Sequence, residues 1–158
     1  PGARVVDLRC DLRVVMPLIE EHEDLCRFTL LSPDEESYLQ CFDRMRTRVR
    51  LGFVDTAQID LAERFPEVSA RLFLALGALG DLSEGRRAEV ARSMHRRLER
   101  DGVGLVMERV GREIGTSSRD ERPLWSALEW EALFRHAGFR TVQRLWGDGE
   151  SMLWLVRK

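Results

Sequence analysis

The chain has 158 residues, enough for one domain with a substantial core, and its 44% hydrophobic and 33% charged residues mark a globular rather than a disordered chain. A formal net charge of -2 offers no basic field for nucleic acid, and no apolar run approaches the ~20 residues of a membrane span. The three cysteines, Cys10, Cys26 and Cys41, are odd in number and widely spaced, which argues against a disulfide framework or a zinc site and fits a reducing, cytoplasmic compartment.

No charged and then apolar leader opens the chain, so no secretory signal is expected. Arg4–Leu8 reads as a buried strand with an acid, Asp7, near its end, and a tight loop then leads into a helix over Val14–Glu23. Pro17 is expected near that helix's first turn, where a missing N–H costs little. Arg27–Leu31 is the second strand. Ser32-Pro33-Asp34-Glu35 reads as a helix start with Ser32 as N-cap and Glu35 at N3, and the helix should run to about Arg46. Its apolar face is read as Tyr38, Leu39, Phe42 and Met45.

Val49–Val54 reads as the third strand, closed by Asp55, and Ala57–Phe65 as a short helix ended by Pro66. Ala70–Leu76 is a near-continuous apolar strand, as in parallel sheets buried on both faces. Ser83 is placed to cap a long helix, Glu84–Asp101, with Val90, Met94 and Leu98 toward the sheet. Its arginines, among them Arg86 and Arg87, read as a solvated face, with a phosphate-binding patch as the alternative.

Gly102-Val103-Gly104 is expected to turn into a fifth strand, Val103–Met107. Gly111–Pro123 is polar and irregular, the pattern of a binding loop or of a disordered connection. Ser126–His136 reads as a helix with Gly138 as its C′ residue. Thr141–Trp146 and Met152–Val156 flank a Gly-Asp-Gly turn and form a terminal hairpin. Alternation of strands and helices predicts a mostly parallel sheet covered on both faces, with a ligand crevice at the carboxyl ends of its strands. His22, His95 and His136 have no metal-ligand spacing. Cys10, in a loop at a helix start, reads either as a buried structural thiol or as a reactive one. The four tryptophans read as core or edge aromatics, with Trp125, beside the long loop, the one placed to touch a substrate or partner.

The ordered series of stretches resembles the class I S-adenosylmethionine-dependent methyltransferases over nearly the whole chain. Pro1–Cys10 resembles their first strand and loop, and Phe28–Glu36 their second strand with its Ser-Pro helix start. Val49–Leu61 resembles the third strand with its Asp-Ala element. Leu72–Arg97 resembles the fourth strand and following helix, and Arg97–Val106 the turn into strand five. Leu128–Val142, with its Ala-Gly-Phe, is the best single match. The resemblance implies an α/β, Rossmann-like sheet of seven mostly parallel strands with an antiparallel C-terminal hairpin strand. It implies one domain over 1–158. Starting at the strand, the chain is expected to lack the lid helices that usually precede it.

The same resemblance implies a cofactor site at Asp7, Arg9, Asp11, Arg13, Leu30, Asp55, Thr56 and Leu76. Where the family reads Asp-x-Gly-x-Gly-x-Gly, this chain has Asp7-Leu8-Arg9-Cys10-Asp11-Leu12-Arg13, so all three glycines are replaced. Leu30 stands where the family has the acid that binds both ribose hydroxyls. Asp55 matches the acid that meets the adenine amino group. An arginine ~4 Å from a sulfonium repels it by roughly 1–4 kcal/mol at surface-like dielectrics. Two lost charge-assisted bonds at Leu30 remove about 1.5–3 kcal/mol each. A micromolar cofactor binds with only roughly −8 kcal/mol. The expectation is therefore a degenerate site that holds S-adenosylmethionine weakly or not at all, in a non-catalytic structural or interaction module. An active methyltransferase with an atypical loop and an anion-binding module built on Arg9 and Arg13 are the alternatives. Expected partners are another protein or a larger assembly, with homodimer formation through an exposed edge at Met152–Val156 also considered. No membrane or nucleic-acid partner is expected.

Overall fold

The computed structural model describes residues 2–111 and 124–158. Most of the expected loop Gly111–Pro123 lies outside the described residues. The elements are β1 (Ala3–Asp7), α1 (Leu12–His22), β2 (Cys26–Ser32), α2 (Glu35–Arg50), β3 (Val54–Gln58), β4 (Ala70–Leu76), α3 (Glu84–Arg97), β5 (Leu98–Arg109), α4 (Ala127–His136), β6 (Thr141–Gly147) and β7 (Ser151–Arg157). The strands form one sheet in the order β3-β2-β1-β4-β5-β7-β6, parallel except for β7, which runs antiparallel to both β5 and β6. The first three strands step outward from β1, and the chain then returns to lay β4 on its other side. That reversal splits the connections apart at the carboxyl ends of β1 and β4, where open α/β sheets make their crevice.

Consecutive strand residues point to opposite faces, and both faces of the central strands are covered. Val5, Phe28, Leu30 and Leu74 pack with Val15 and Ile19 of α1 and Met45 of α2. Val6, Phe73 and Val106 pack on the other face with Val90 and Met94 of α3 and with Trp130 and Phe134 of α4. Trp154 of β7 closes this second layer, its ring 5.8 Å from that of Phe134.

Several boundaries differ from the sequence reading, each for a local reason. Ser32 does not cap α2; it is the last residue of β2, and Asp34 caps the helix by accepting from the Ser37 N–H at 2.8 Å. The helix continues to Arg50, because the run Arg44–Arg50 holds good helix formers and Gly52, at φ 77°, supplies the left-handed exit. Val49 is therefore helical, and the third strand begins only at Val54. The buried face of α2 is Cys41 and Met45, while Leu39 stays exposed. No helix forms over Ala57–Phe65: Ala57 and Gln58 belong to β3, and Asp60 then nucleates a turn by accepting from the Ala62 N–H at 2.8 Å.

Pro17 lies beyond the first turn of α1, so Arg13's carbonyl lacks its helical donor. Ser83 sits at the N-cap of α3 without a side-chain cap bond. That helix ends at Arg97 and passes directly into β5, so Leu98 and Gly102–Gly104 are strand residues. A side chain at Gly104 would meet Val156 at 2.7 Å, so the glycine is set by close strand packing and not by a turn. Arg87 is buried and not on a solvated face. Finally, β7 is an interior strand; the exposed edge is β6, with Leu145 and Trp146 open to solvent. Among the described residues no helix is long and apolar enough to cross a membrane.

Candidate functional site

The β1–α1 loop is built around Asp7. Its carboxyl group is buried and accepts from the Arg9 N–H at 3.0 Å. Burial pushes its pKa up to about 6, opposed by backbone N–H groups of Arg9, Cys10 and Asp11. Cys10 takes φ 54°, the one non-glycine positive φ among the described residues. Asp11 caps α1 by accepting from the Arg13 N–H at 3.0 Å, and it holds the exposed Arg13 guanidinium at 2.8 Å. Those hydrogen bonds from Arg13 keep the Asp11 carboxyl below its usual range.

Arg9 points the other way. Its Nη1 donates to the Gly77 carbonyl just past β4 and lies 3.5 Å from an Asp81 carboxylate oxygen. The side chain thus spans the crevice from the end of β1 to the end of β4. Arg9 and Arg13 do not converge on a common point, so the pair expected as an anion site is not assembled.

Beyond Arg9 a cleft of about 320 Å³ opens over the ends of β4 and β5. Its wall includes Gly77, Asp81, Arg87, Glu108, Trp125 and Trp130. Glu108 is 4% exposed and accepts from the Leu79 N–H at 2.7 Å and the Gly80 N–H at 3.1 Å. Burial drives its pKa up to about 7, against the pull of those two bonds and of Arg9 and Arg87. Arg87 donates from Nε to the Leu79 carbonyl at 3.2 Å, with its guanidinium 4.6 Å from the Trp125 ring centre and 5.3 Å from that of Trp130. The buried Trp130 Nε1 has no hydrogen-bond partner among the described residues. A carboxyl that titrates near neutrality beside a guanidinium–aromatic wall can exchange a proton with a bound molecule.

No family model and no curated protein sequence matches the chain. Solved structures match it end to end. An O-methyltransferase family 2 protein from Planctomyces limnophilus, in complex with apigenin, is similar at TM-score 0.77 and 17% identity, covering 99% of this chain and 51% of that one. CalO1, a methyltransferase in calicheamicin biosynthesis solved with S-adenosylhomocysteine, is similar at TM-score 0.75 and 16% identity, covering 99% and 49%. This is the class I methyltransferase fold. The chain spans about half the length of these proteins. A third similar structure, at TM-score 0.73 and 21% identity over 90% of this chain and 54% of that one, is the [4+2]-cyclase SpnF, so likeness of fold does not name one reaction.

Within the methyltransferase fold, the residues matched from sequence divide. Asp7, Arg9 and Asp11 share the loop at the switch point, and Leu76 ends β4 opposite Met107, next to the Gly77 that Arg9 reaches. Leu30 is level with Asp7 and Thr56 across the sheet, but its side chain is fully buried among Val15, Ile19 and Met45. Thr56 stops two residues short of the strand's end. Asp55 lies nearer the amino end of β3, its carboxylate 3.7 Å from Arg27 Nε. The late start of β3 puts Gln58 and Asp60, not Asp55, at the crevice end. No group of three His, Cys, Asp or Glu among the described residues is placed to hold a metal.

The sequence reading missed Glu108 and Arg87. Both had a signal. Glu108 ends the apolar run Leu105–Met107, and Arg87 precedes Val90 and Met94 at the spacing of the buried stripe.

Proposed function

We propose that this domain is a methyltransferase-fold module whose S-adenosylmethionine site is blocked, and that it serves as a structural or interaction element in a larger protein or assembly. The observation that carries the reading is Arg9. Its cationic group sits against Gly77 and Asp81, across the mouth where a sulfonium cofactor would have to lie. Leu30 supplies no ribose acceptor, and Asp55 is held by Arg27 away from the crevice. Together these losses amount to several kcal/mol, a large share of a micromolar affinity. Edge strand β6 is the surface such a module offers to a partner, a second copy of the chain included.

Calorimetry with S-adenosylmethionine and S-adenosylhomocysteine tests this. The native chain is expected to bind neither below about 100 μM (near −5.5 kcal/mol), and Arg9→Gly is expected to gain affinity. Tighter binding by the native chain overturns the proposal. Leu30→Asp is a poor restoring change, because it places a carboxylate in an apolar core.

The second reading is an enzyme, and Glu108 favours it. A carboxyl titrating near 7 in an open cleft is a group placed for acid–base work. A methyltransferase of this kind requires cofactor binding in the same titration.

A further inference from the structure

Cys10 and Cys41 stand 31 positions apart in sequence, yet their sulfurs are 2.8 Å apart. That is only about 0.8 Å longer than a disulfide bond. The two sulfurs come from different elements, the β1–α1 loop and the middle of α2. Cys41 is 1% exposed, while Cys10 is half-buried in the loop that carries Arg9. The buried Ser32 hydroxyl lies beside both sulfurs without a well-formed hydrogen bond to either. The spacing of the cysteines, read as disfavouring a disulfide framework, did not show this meeting, because only the packing of α2 on β2 creates it.

We propose that Cys10 and Cys41 form a redox modification site, a dithiol that closes reversibly to a disulfide when met by a small disulfide oxidant such as glutathione disulfide. Cys10 is the more accessible thiol and reacts first. It loses its proton, its thiolate attacks one sulfur of glutathione disulfide, and one glutathione leaves and takes up a proton. Cys41, deprotonated in turn, attacks the Cys10 sulfur and expels the second glutathione. Two protein thiols are thereby oxidised by two electrons, and one glutathione disulfide is reduced to two glutathiones. In the reduced pair the hydrogen bond between the thiols pushes the Cys10 pKa up and pulls the Cys41 pKa down, so Cys10 ionises as that bond opens, and the bond is gone once Cys10 carries glutathione. Closure ties the loop to α2 while Arg9 ties it to β4, so the oxidised form holds the loop as it stands. This inference does not depend on whether a cofactor binds.

Cys26 is the internal control. It starts β2, six residues and roughly 20 Å along the strand from Ser32. The test equilibrates the full chain in graded ratios of reduced to oxidised glutathione, quenches with acid, alkylates and digests with trypsin. Cleavage after Arg9, Arg13, Arg27 and Arg44 puts each cysteine in its own peptide. The expected product joins the Cys10–Arg13 peptide to the Phe28–Arg44 peptide, two hydrogens lighter than their sum, with Cys26 alkylated. Dithiothreitol reverses it, and the oxidised chain melts roughly 5 °C higher. Cys26→Ser keeps the link, whereas Cys41→Ser leaves Cys10 as a glutathione adduct. The proposal is overturned if the native chain stops at a glutathione adduct on Cys10, pairs with Cys26, or keeps both thiols free at the most oxidising ratio. Mapping of the native chain decides this even if the Cys41→Ser chain does not fold.

Discussion

Two buried acids sit on the carboxyl edge of the sheet, and they are wired differently. Asp7 at the end of β1 is satisfied by its own loop, two to four residues onward. Glu108 near the end of β5 is satisfied by Leu79 and Gly80, nearly thirty residues back in the chain. Burial raises both, to about 6 and about 7. Over Asp7 the loop closes and sends Arg9 across to Gly77; beside Glu108 a cleft stays open. The same chemical group thus organises a closed turn in one place and lines a cavity in the other. What differs is whether its donors are local or brought in by packing.

The largest expected effect falls on the open side. Trp130 is 1% exposed and underlies both Arg87 and the α4 aromatic cluster. Trp130→Ala should cost about 3–5 kcal/mol of stability in urea unfolding. A loss under about 1 kcal/mol would mean that the cleft wall is not continuous with the core.

Next in size, taken for each acid singly, is the pH dependence of the two. The ordinary carboxyl values are 3.8 for Asp7 and 4.5 for Glu108, and both are higher in the folded chain. Between the unfolded and folded values the folded chain keeps protons that the unfolded chain has released. Stability therefore falls as pH rises from about 4 to about 7 and levels off above, by roughly 3 kcal/mol for each acid. Glu108→Gln should flatten the upper part of this fall, between about pH 4.5 and 7, and leave the Asp7 part in place. An unchanged pH profile in the variant would remove the distinction between the two acids.

The smallest effects compare two helix starts. Asp11 caps α1 through its side chain, whereas Ser83 precedes α3 without such a bond. Asp11→Ala should cost about 1 kcal/mol, and Ser83→Ala less than about 0.5 kcal/mol. Equal losses in thermal unfolding would show that the loop beneath Arg9 is not held by its cap.

Much of the architecture was legible before the fold was known. Strand β4, helix α4 with its Gly138 exit, and the terminal hairpin stand where periodicity and turn residues put them. Those features are local, and each is fixed by neighbours within a turn or a pleat. The misplaced pieces were contests between local signals. Ser32 and Asp34 both qualify as caps, and Val49 fits a strand or a helix until Gly52 ends α2.

By itself the sequence determined the class of fold and a loop after β1 that holds Arg9, Asp11 and Arg13 and no glycine, since alternation and residue identity are properties of a string. Tertiary structure alone decided that Arg9 reaches Gly77, that Arg13 turns back to Asp11, that Asp55 misses the crevice, and that Cys10 meets Cys41. Each depends on where a side chain ends up after distant segments pack. A one-residue change of register or a few residues of helix extension redirects it, and neither leaves a periodic trace in the sequence.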